Sequence, residues 1–207
     1  SNAVLSAGAF GAAYGNALSG VVRMETAGRP TRSTGSLSAS IGSVSANTAV
    51  ALTPKLGVRA LASISDLAPL LATFGQAQPY DPAPRGGDAS FTLEYATGPH
   101  SRLRVFTMRQ RQQFGVGAAD IDARARYAAT TNEQLTVVSW RDTSNRWHPT
   151  ISWGQSRFAR DEQLSALSLG SHLSNGHVNG SLRRVIGSRF DITLGAEHER
   201  FTALYTG

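Results

Sequence analysis

The chain has 207 residues, enough to bury the core of one domain, but its composition is unusual: only 16% of residues are charged, 41% are hydrophobic and 21 are glycine. No window approaches the roughly 18 consecutive apolar residues of a membrane-spanning helix, which excludes a helical membrane protein but not a barrel, whose strands alternate and carry a weaker signal. Cysteine is absent, which removes thiolate catalysis, thiolate metal sites and disulfides, and the formal net charge of +6 is carried almost wholly by arginine, with Lys55 the only lysine.

The opening Ser1-Asn2-Ala3 reads as a remnant of tag removal and is set aside from fold reasoning. The segment Ala13 to Thr26 then packs small residues into a tight turn and launches a short Val-rich strand. Gly15 and Gly20 permit close approaches that a Cβ would forbid, while Ala17 and Ser19 keep the surroundings thin. In its Tyr14, Gly15, Ala17, Ser19, Gly20, Val21, Val22 and Thr26, the segment resembles the end of the plug of a TonB-dependent outer-membrane receptor. Arg23 and Glu25 depart from the uncharged or Asn-type residues usual there. The resemblance implies a plug-terminal segment over 4–27 followed by an antiparallel β-barrel portion over 34–207.

From Ser36 the period becomes two: Leu37, Ala39 and Ile41 point one way, and Ser36, Ser38 and Ser40 the other. Asn47 to Thr53 repeats the pattern, with Thr48, Val50 and Leu52 against Asn47, Ala49 and Ala51. A Thr53-Pro54-Lys55 turn leads to Leu56, Val58, Ala60, Ala62 and Ile64 alternating with Gly57, Arg59, Leu61, Ser63 and Ser65. Between Asp66 and Asp88, five prolines and glycines at Pro79, Pro82, Pro84, Gly86 and Gly87, with Pro69 before them, predict a long loop. Its Leu67, Leu70, Leu71 and Phe74 predict a short helical turn.

Alternation resumes with Phe91, Leu93 and Tyr95 against Ser90, Thr92 and Glu94, and a Gly98-Pro99-His100-Ser101 turn connects to Leu103, Val105 and Thr107. The next strand is expected to set Ile121, Ala123, Ala125 and Tyr127 against Asp120, Asp122, Arg124 and Arg126. Gln134–Trp140 and Trp147–Trp153 flank a turn at Arg141 to Asn145, which puts Trp140, Trp147 and Trp153 forward as interfacial aromatics. The remaining expected strands are Leu164–Leu173, Val178–Ile186, Phe190–Ala196 and Phe201–Tyr205, with turns at Ser174-Asn175-Gly176 and Gly187-Ser188. The expected fold is therefore all-β, an antiparallel up-and-down barrel or barrel fragment of about ten strands behind a short plug-like segment. A family barrel has about 22 strands, so such a piece has edges to hide, by closing on itself or by pairing with another copy.

No catalytic, cofactor or metal constellation emerges. His100, His148, His172, His177 and His198 form no recognised ligand motif, and His172 and His177 are expected to flank a hairpin turn. Asp161-Glu162 reads as a charged loop, and Glu197 to Arg200 is a dense polar run without a nucleophile elbow or phosphate-binding loop to support it. Arg102, Arg104, Arg109 and Arg111 come nearest to a basic patch, with only Phe106 as an interleaved aromatic, and a nucleic-acid surface is not expected. The resemblance implies a non-enzymatic receptor of the bacterial outer membrane, with a TonB complex, membrane lipid and a scarce nutrient (a metal chelate, a vitamin or a glycan) as partners. The alternative is a secreted or periplasmic soluble sandwich or barrel that binds carbohydrate or lipid. In that case Leu37, Ile41, Val58, Phe91, Leu93, Ile192 and Leu194 would form a core.

Overall fold

A computed structural model of the chain describes residues 2–6, 21–25, 28–75, 80–117, 126–144, 146–187 and 190–207. Two short strands, β1 (Asn2–Ser6) and β2 (Val21–Glu25), pair antiparallel as a separate ribbon. Asn2 and Ala3, set aside in the sequence reading, take part in it opposite Glu25 and Met24.

The main sheet has nine antiparallel strands: β3 (Thr34–Ser40), β4 (Ser43–Ala51), β5 (Leu56–Asp66), β6 (Arg85–Ala96), β7 (Ser101–Gly117), β8 (Arg126–Asp142), β9 (Trp147–Leu164), β10 (Leu167–Ile186) and β11 (Phe190–Thr206). Each pairs with its neighbours in sequence, which is the up-and-down topology expected. The sheet does not close. Among the described residues β3 and β11 each have one partner, so the closed small barrel among the expectations is not formed there, and the open form is that of a barrel fragment.

The strands lengthen from seven residues in β3 to 20 in β10. The expected turn at Ser174-Asn175-Gly176 does not exist: all three lie inside β10, paired to Arg157, Ser156 and Gln155 on one side and to Thr202, Phe201 and Arg200 on the other. Two flanking ladders satisfy every backbone group there, and this overrides a local Asn-Gly turn preference. Phe190–Ala196 and Phe201–Tyr205 likewise merge into the single strand β11, and Asp161 and Glu162 lie in β9, not in a loop.

Between β5 and β6, α1 (Ala68–Thr73) forms the predicted helical turn. Asp66 Oδ1 accepts from the Ala68 amide at 2.9 Å, holding the entry, and no residue of α1 is buried. Past the helix, the chain folds back on the end of β7: the Gly115 amide donates to Pro82 O at 2.7 Å and the Asp81 amide to Gly115 O at 3.1 Å. A Cβ at Gly115 would overlap the Asp81 carbonyl, so this position tolerates only glycine.

Candidate functional site

Strand alternation and register together sort the side chains of the main sheet onto two faces. One carries Val50, Val58, Leu93, Val105, Val138, Trp153, Val178 and His198 as a single cross-strand row. The adjacent row on that face runs Leu56, Tyr95, Leu103, Trp140, Ile151, Gly180 and Ala196. The intervening residues point the other way: Gly57, Glu94, Arg104, Ser139, Ser152, Asn179 and Glu197. Over these rows the first face is aliphatic and the second polar, whereas toward the long connections the second face also carries Phe106, Leu135, Phe158 and Phe201.

The aliphatic face is open. Leu37 is 75% exposed, Ile64 66% and Leu194 61%, and among the described residues no large side chain is fully buried. Leu37, Ile41, Phe91, Ile192 and Leu194, assigned to a core in the soluble-domain alternative, are all exposed, and Val58 and Leu93 are half-buried.

The apolar stretch is also oblique to the register. On β5 it runs from Leu56 up to Ile64, whose row continues through Gly87, Arg111 and Asn132. On β10 and β11 it has slid past the Leu56 row to Leu182, Ile186, Phe190 and Ile192. A band that crosses register rows diagonally is what strand tilt in a barrel wall produces, because a plane normal to the barrel axis cuts successive strands at staggered positions. The band hugs the end where the connections are short, at 52–55, 97–100, 143–146 and 187–189. The opposite end carries the long connections 67–84 and 118–125, with tight turns at 41–42 and 165–166.

All three tryptophans fall on the aliphatic face. Trp140 and Trp147 lie near the short-connection end, Trp153 lies deeper in the band, and the Arg184 guanidinium stands 4.9 Å over the Trp147 ring.

Apart from Gly115, the buried residues of the described sheet lie on the polar face. Ala49, Ala129, Thr92 and Glu94, each under 9% exposed, all belong to it. Glu94 is 6% exposed and is ion-paired to its cross-strand partner Arg104 at 2.5 Å, with Arg102 at 3.8 Å. Two guanidiniums around one enclosed carboxylate satisfy it electrostatically, which is the condition for holding a charge away from bulk water. Neither partner was foreseen for Glu94 in the sequence, because the pairing depends on the β6–β7 register.

The chain enters the sheet across this same face. Arg59 donates through Nε and Nη2 to the Gly28 carbonyl at 3.2 and 3.0 Å, and Arg29 donates to the Pro54 carbonyl. A Cβ on Gly57 would stand 2.7 Å from Pro30 Cδ, so the small residue lets the segment lie flat on β5. Gly28 borders a recess of about 490 Å³ lined by His100, Arg102, Arg104 and Arg141.

Farther toward the long connections, the Tyr127 hydroxyl donates to Glu162, which also accepts from Arg160 at 2.8 Å, and the Phe114 and Tyr127 rings stand 5.7 Å apart. Tyr127 thus lies on the polar face and Arg126 on the other, the reverse of the expected polarity. On β10 and β11, Asn175 donates to Glu199 at 2.7 Å, His177 lies 3.6 Å from Glu197, and Arg183 pairs with Asp191.

Several sequence groupings separate in space. Arg102 and Arg104 are on the polar face and Arg109 and Arg111 on the aliphatic one, so they are not one patch. His172 and His177 share β10 and project from opposite faces instead of meeting across a turn. Of the plug-end residues, Val21 and Val22 lie in β2 opposite Ser6 and Leu5. Tyr14, Gly15, Ala17, Ser19, Gly20 and Thr26 lie outside the described residues, as do Asp120, Ile121, Asp122, Ala123, Arg124, Ala125, Asn145 and Ser188. Among the described residues no helix is long and apolar enough to cross a membrane, a statement that does not bear on strands. No family model matches the chain, and neither a curated protein nor a solved structure matches it.

Proposed function

We propose that this chain is part of the wall of an outer-membrane β-barrel of the TonB-dependent receptor type, taking up a scarce nutrient without covalent chemistry. In this reading the aliphatic face meets lipid, the polar face lines the interior, and the segment before β3 is the exit of a plug. The observation that carries it is the oblique, solvent-open apolar band backed by a polar face on the same strands.

Three further features support the reading. Barrel walls of this kind have short connections on one side of the membrane and longer ones on the other, and the band sits against the short-connection end. A tilted strand needs about 9–11 residues to cross the hydrocarbon. With 17 to 20 residues each, β7 to β11 cross and continue beyond it on the long-connection side. The N-terminal segment meets the sheet on its polar side, as a chain emerging from inside a barrel must. The nutrient and the TonB complex enter this proposal through the resemblance of Tyr14 to Thr26.

The test uses the absence of native cysteine. Single-cysteine variants at Ile151, Val178 and Leu194 and at their neighbours Ser152, Asn179 and Gly195 are spin-labelled in the full-length protein in lipid vesicles. The first three labels are expected to be relaxed by oxygen and the second three by a water-soluble nickel complex. Labels on both faces reporting water would instead favour the soluble binding domain.

A further inference from the structure

Just beyond the apolar band, toward the long connections, four arginines rise on the aliphatic face itself. Arg85, Arg109, Arg111 and Arg157 are all exposed there. Arg109 and Arg111 are successive same-face residues of β7. Arg157 shares a row with Arg109, two strands away through Gln134, a spacing of about 10 Å. Among the described residues no carboxylate lies within 4 Å of any of the four. The acids of the same rows are Asp66, which caps α1, and Asp161. The Gln113 side-chain amide lies 2.6 Å from the Arg85 guanidinium.

The arginines border hollows. A groove of about 500 Å³ runs over Ala46, Ala60, Ala62, Ala89 and Phe91 and ends at Arg109. A second of about 720 Å³ lies over Ile41, Val44 and Ile64 and is rimmed by Arg85 and Arg111. A third of about 430 Å³ lies between Arg109 and Arg157. Four alanines, Ala46, Ala60, Ala62 and Ala89, keep the first groove shallow-walled. The first two troughs thus pair an apolar floor with a guanidinium at the end, the arrangement that complements an amphiphile with a phosphate head, while the third is lined largely by polar residues, Asn132, Gln134, Ser174 and Thr202 among them.

We propose that this region binds a phosphorylated, acylated lipid of the membrane leaflet on the long-connection side. Acyl chains lie along the alanine groove and the Ile64 groove, and phosphate oxygens are held by Arg109, Arg111 and Arg157, with Arg85 at the rim. The proposal rests on the barrel-wall reading, since it requires the aliphatic face to be in lipid. Charge complementarity selects the occupant: a zwitterionic headgroup would leave the arginine cluster uncompensated, and a protein partner of this strand face would have to displace lipid.

The experiment reconstitutes the full-length protein in phosphatidylcholine vesicles doped with fluorescent bis-phosphorylated lipid A and reads its local enrichment by energy transfer from tryptophan. Lipid A enrichment around the wild type is expected to fall roughly tenfold in the triple variant Arg109→Gln, Arg111→Gln, Arg157→Gln. A smaller drop of about two- to threefold is expected in Arg111→Gln alone, which guards against misfolding of the triple variant, and none in Arg102→Gln on the polar face. Enrichment unchanged in both arginine variants overturns the proposal. So does equal enrichment of dephosphorylated lipid A, or full displacement by inorganic phosphate, which would mark a free-anion site. The spin-label test separates the two levels: labels at Ile151 and Val178 in water remove the membrane reading itself, whereas labels in lipid without arginine-dependent enrichment remove this inference alone.

Discussion

The two faces of the same nine strands obey different rules. On the polar face the positions behind the apolar band are short or charged, and the enclosed Thr92 and Glu94 are polar, while Leu135, Phe158 and Phe201 join that face only farther toward the long connections. On the aliphatic face, large side chains stand open: Phe91 is 39% exposed, Ile151 55% and Leu194 61%. A water-soluble sheet buries its apolar face and wets its polar one. The inverse distribution here shows that alternation alone does not decide which side is inside. In the barrel-wall reading, what decides it is which face is enclosed, and the burial of Thr92 and Glu94 assigns that role to the charged side.

The largest expected effect comes from moving charge across that boundary by one residue. Val178→Arg places a guanidinium in the apolar band and is expected to cost about 2–4 kcal/mol of folding free energy in lipid vesicles. Asn179→Arg, its neighbour on the polar face opposite Glu197, is expected to cost under about 1 kcal/mol. Urea unfolding of the refolded variants in vesicles measures both. Equal costs would erase the distinction between the faces.

Next in size is the enclosed ion pair. Glu94→Gln removes the charge of the carboxylate that Arg104 and Arg102 share and is expected to cost roughly 1–3 kcal/mol. A double-mutant cycle with Arg104→Gln should show that much of this is coupling between the two. If Glu94→Gln unfolds at the wild-type urea concentration, the polar face is ordinary wet surface and its enclosure counts for nothing.

The early strands were legible because each repeats a strict period of two: Leu56 to Ile64 and Phe91 to Tyr95 fall on one face as read. Legibility failed where a local signal competed with long-range pairing. Ser174-Asn175-Gly176 carries a hairpin turn's residue types, yet ladders on both sides hold it straight, and nothing in the local sequence announces two neighbours of such length. The basic cluster failed for a different reason. Arg102, Arg104, Arg109 and Arg111 are close in sequence, but the odd spacing from 104 to 109 switches faces, which counting the alternation could have revealed. The burial of Glu94 and the seating of Gly28 to Pro30 on Gly57 depend on partners distant in sequence, and composition is silent about them.

That seating gives a third, smaller contrast. Gly57→Ala would push a methyl group to 2.7 Å from the Pro30 ring, which has no rotamer to yield, so the entry segment must lift from the polar face. A loss of about 1–2 kcal/mol is expected, together with faster proteolysis after Arg29 or Arg32. Gly176→Ala on the aliphatic face meets nothing within 4 Å and is expected to be neutral to slightly stabilising. Unchanged cleavage in Gly57→Ala would separate the entry segment from the interior.

The smallest effect discriminates the faces most finely, because it compares adjacent arginines. Arg183 reaches over the polar face to Asp191, while Arg184 lies on the Trp147 ring of the aliphatic face. An exposed ion pair is screened by salt. In the barrel-wall reading, the guanidinium over the Trp147 indole sits at the edge of a lipid layer and depends on the ring's quadrupole and on packing, so its contribution of about 0.5 kcal/mol should persist at high ionic strength. Arg183→Gln is therefore expected to alter stability only at low salt, and Arg184→Gln at low and high salt alike, with a change in Trp147 emission. Were both variants to respond to salt in the same way, Trp147 would be in water, and the short-connection edge of the band would have to be redrawn deeper, at Ile151 and Trp153.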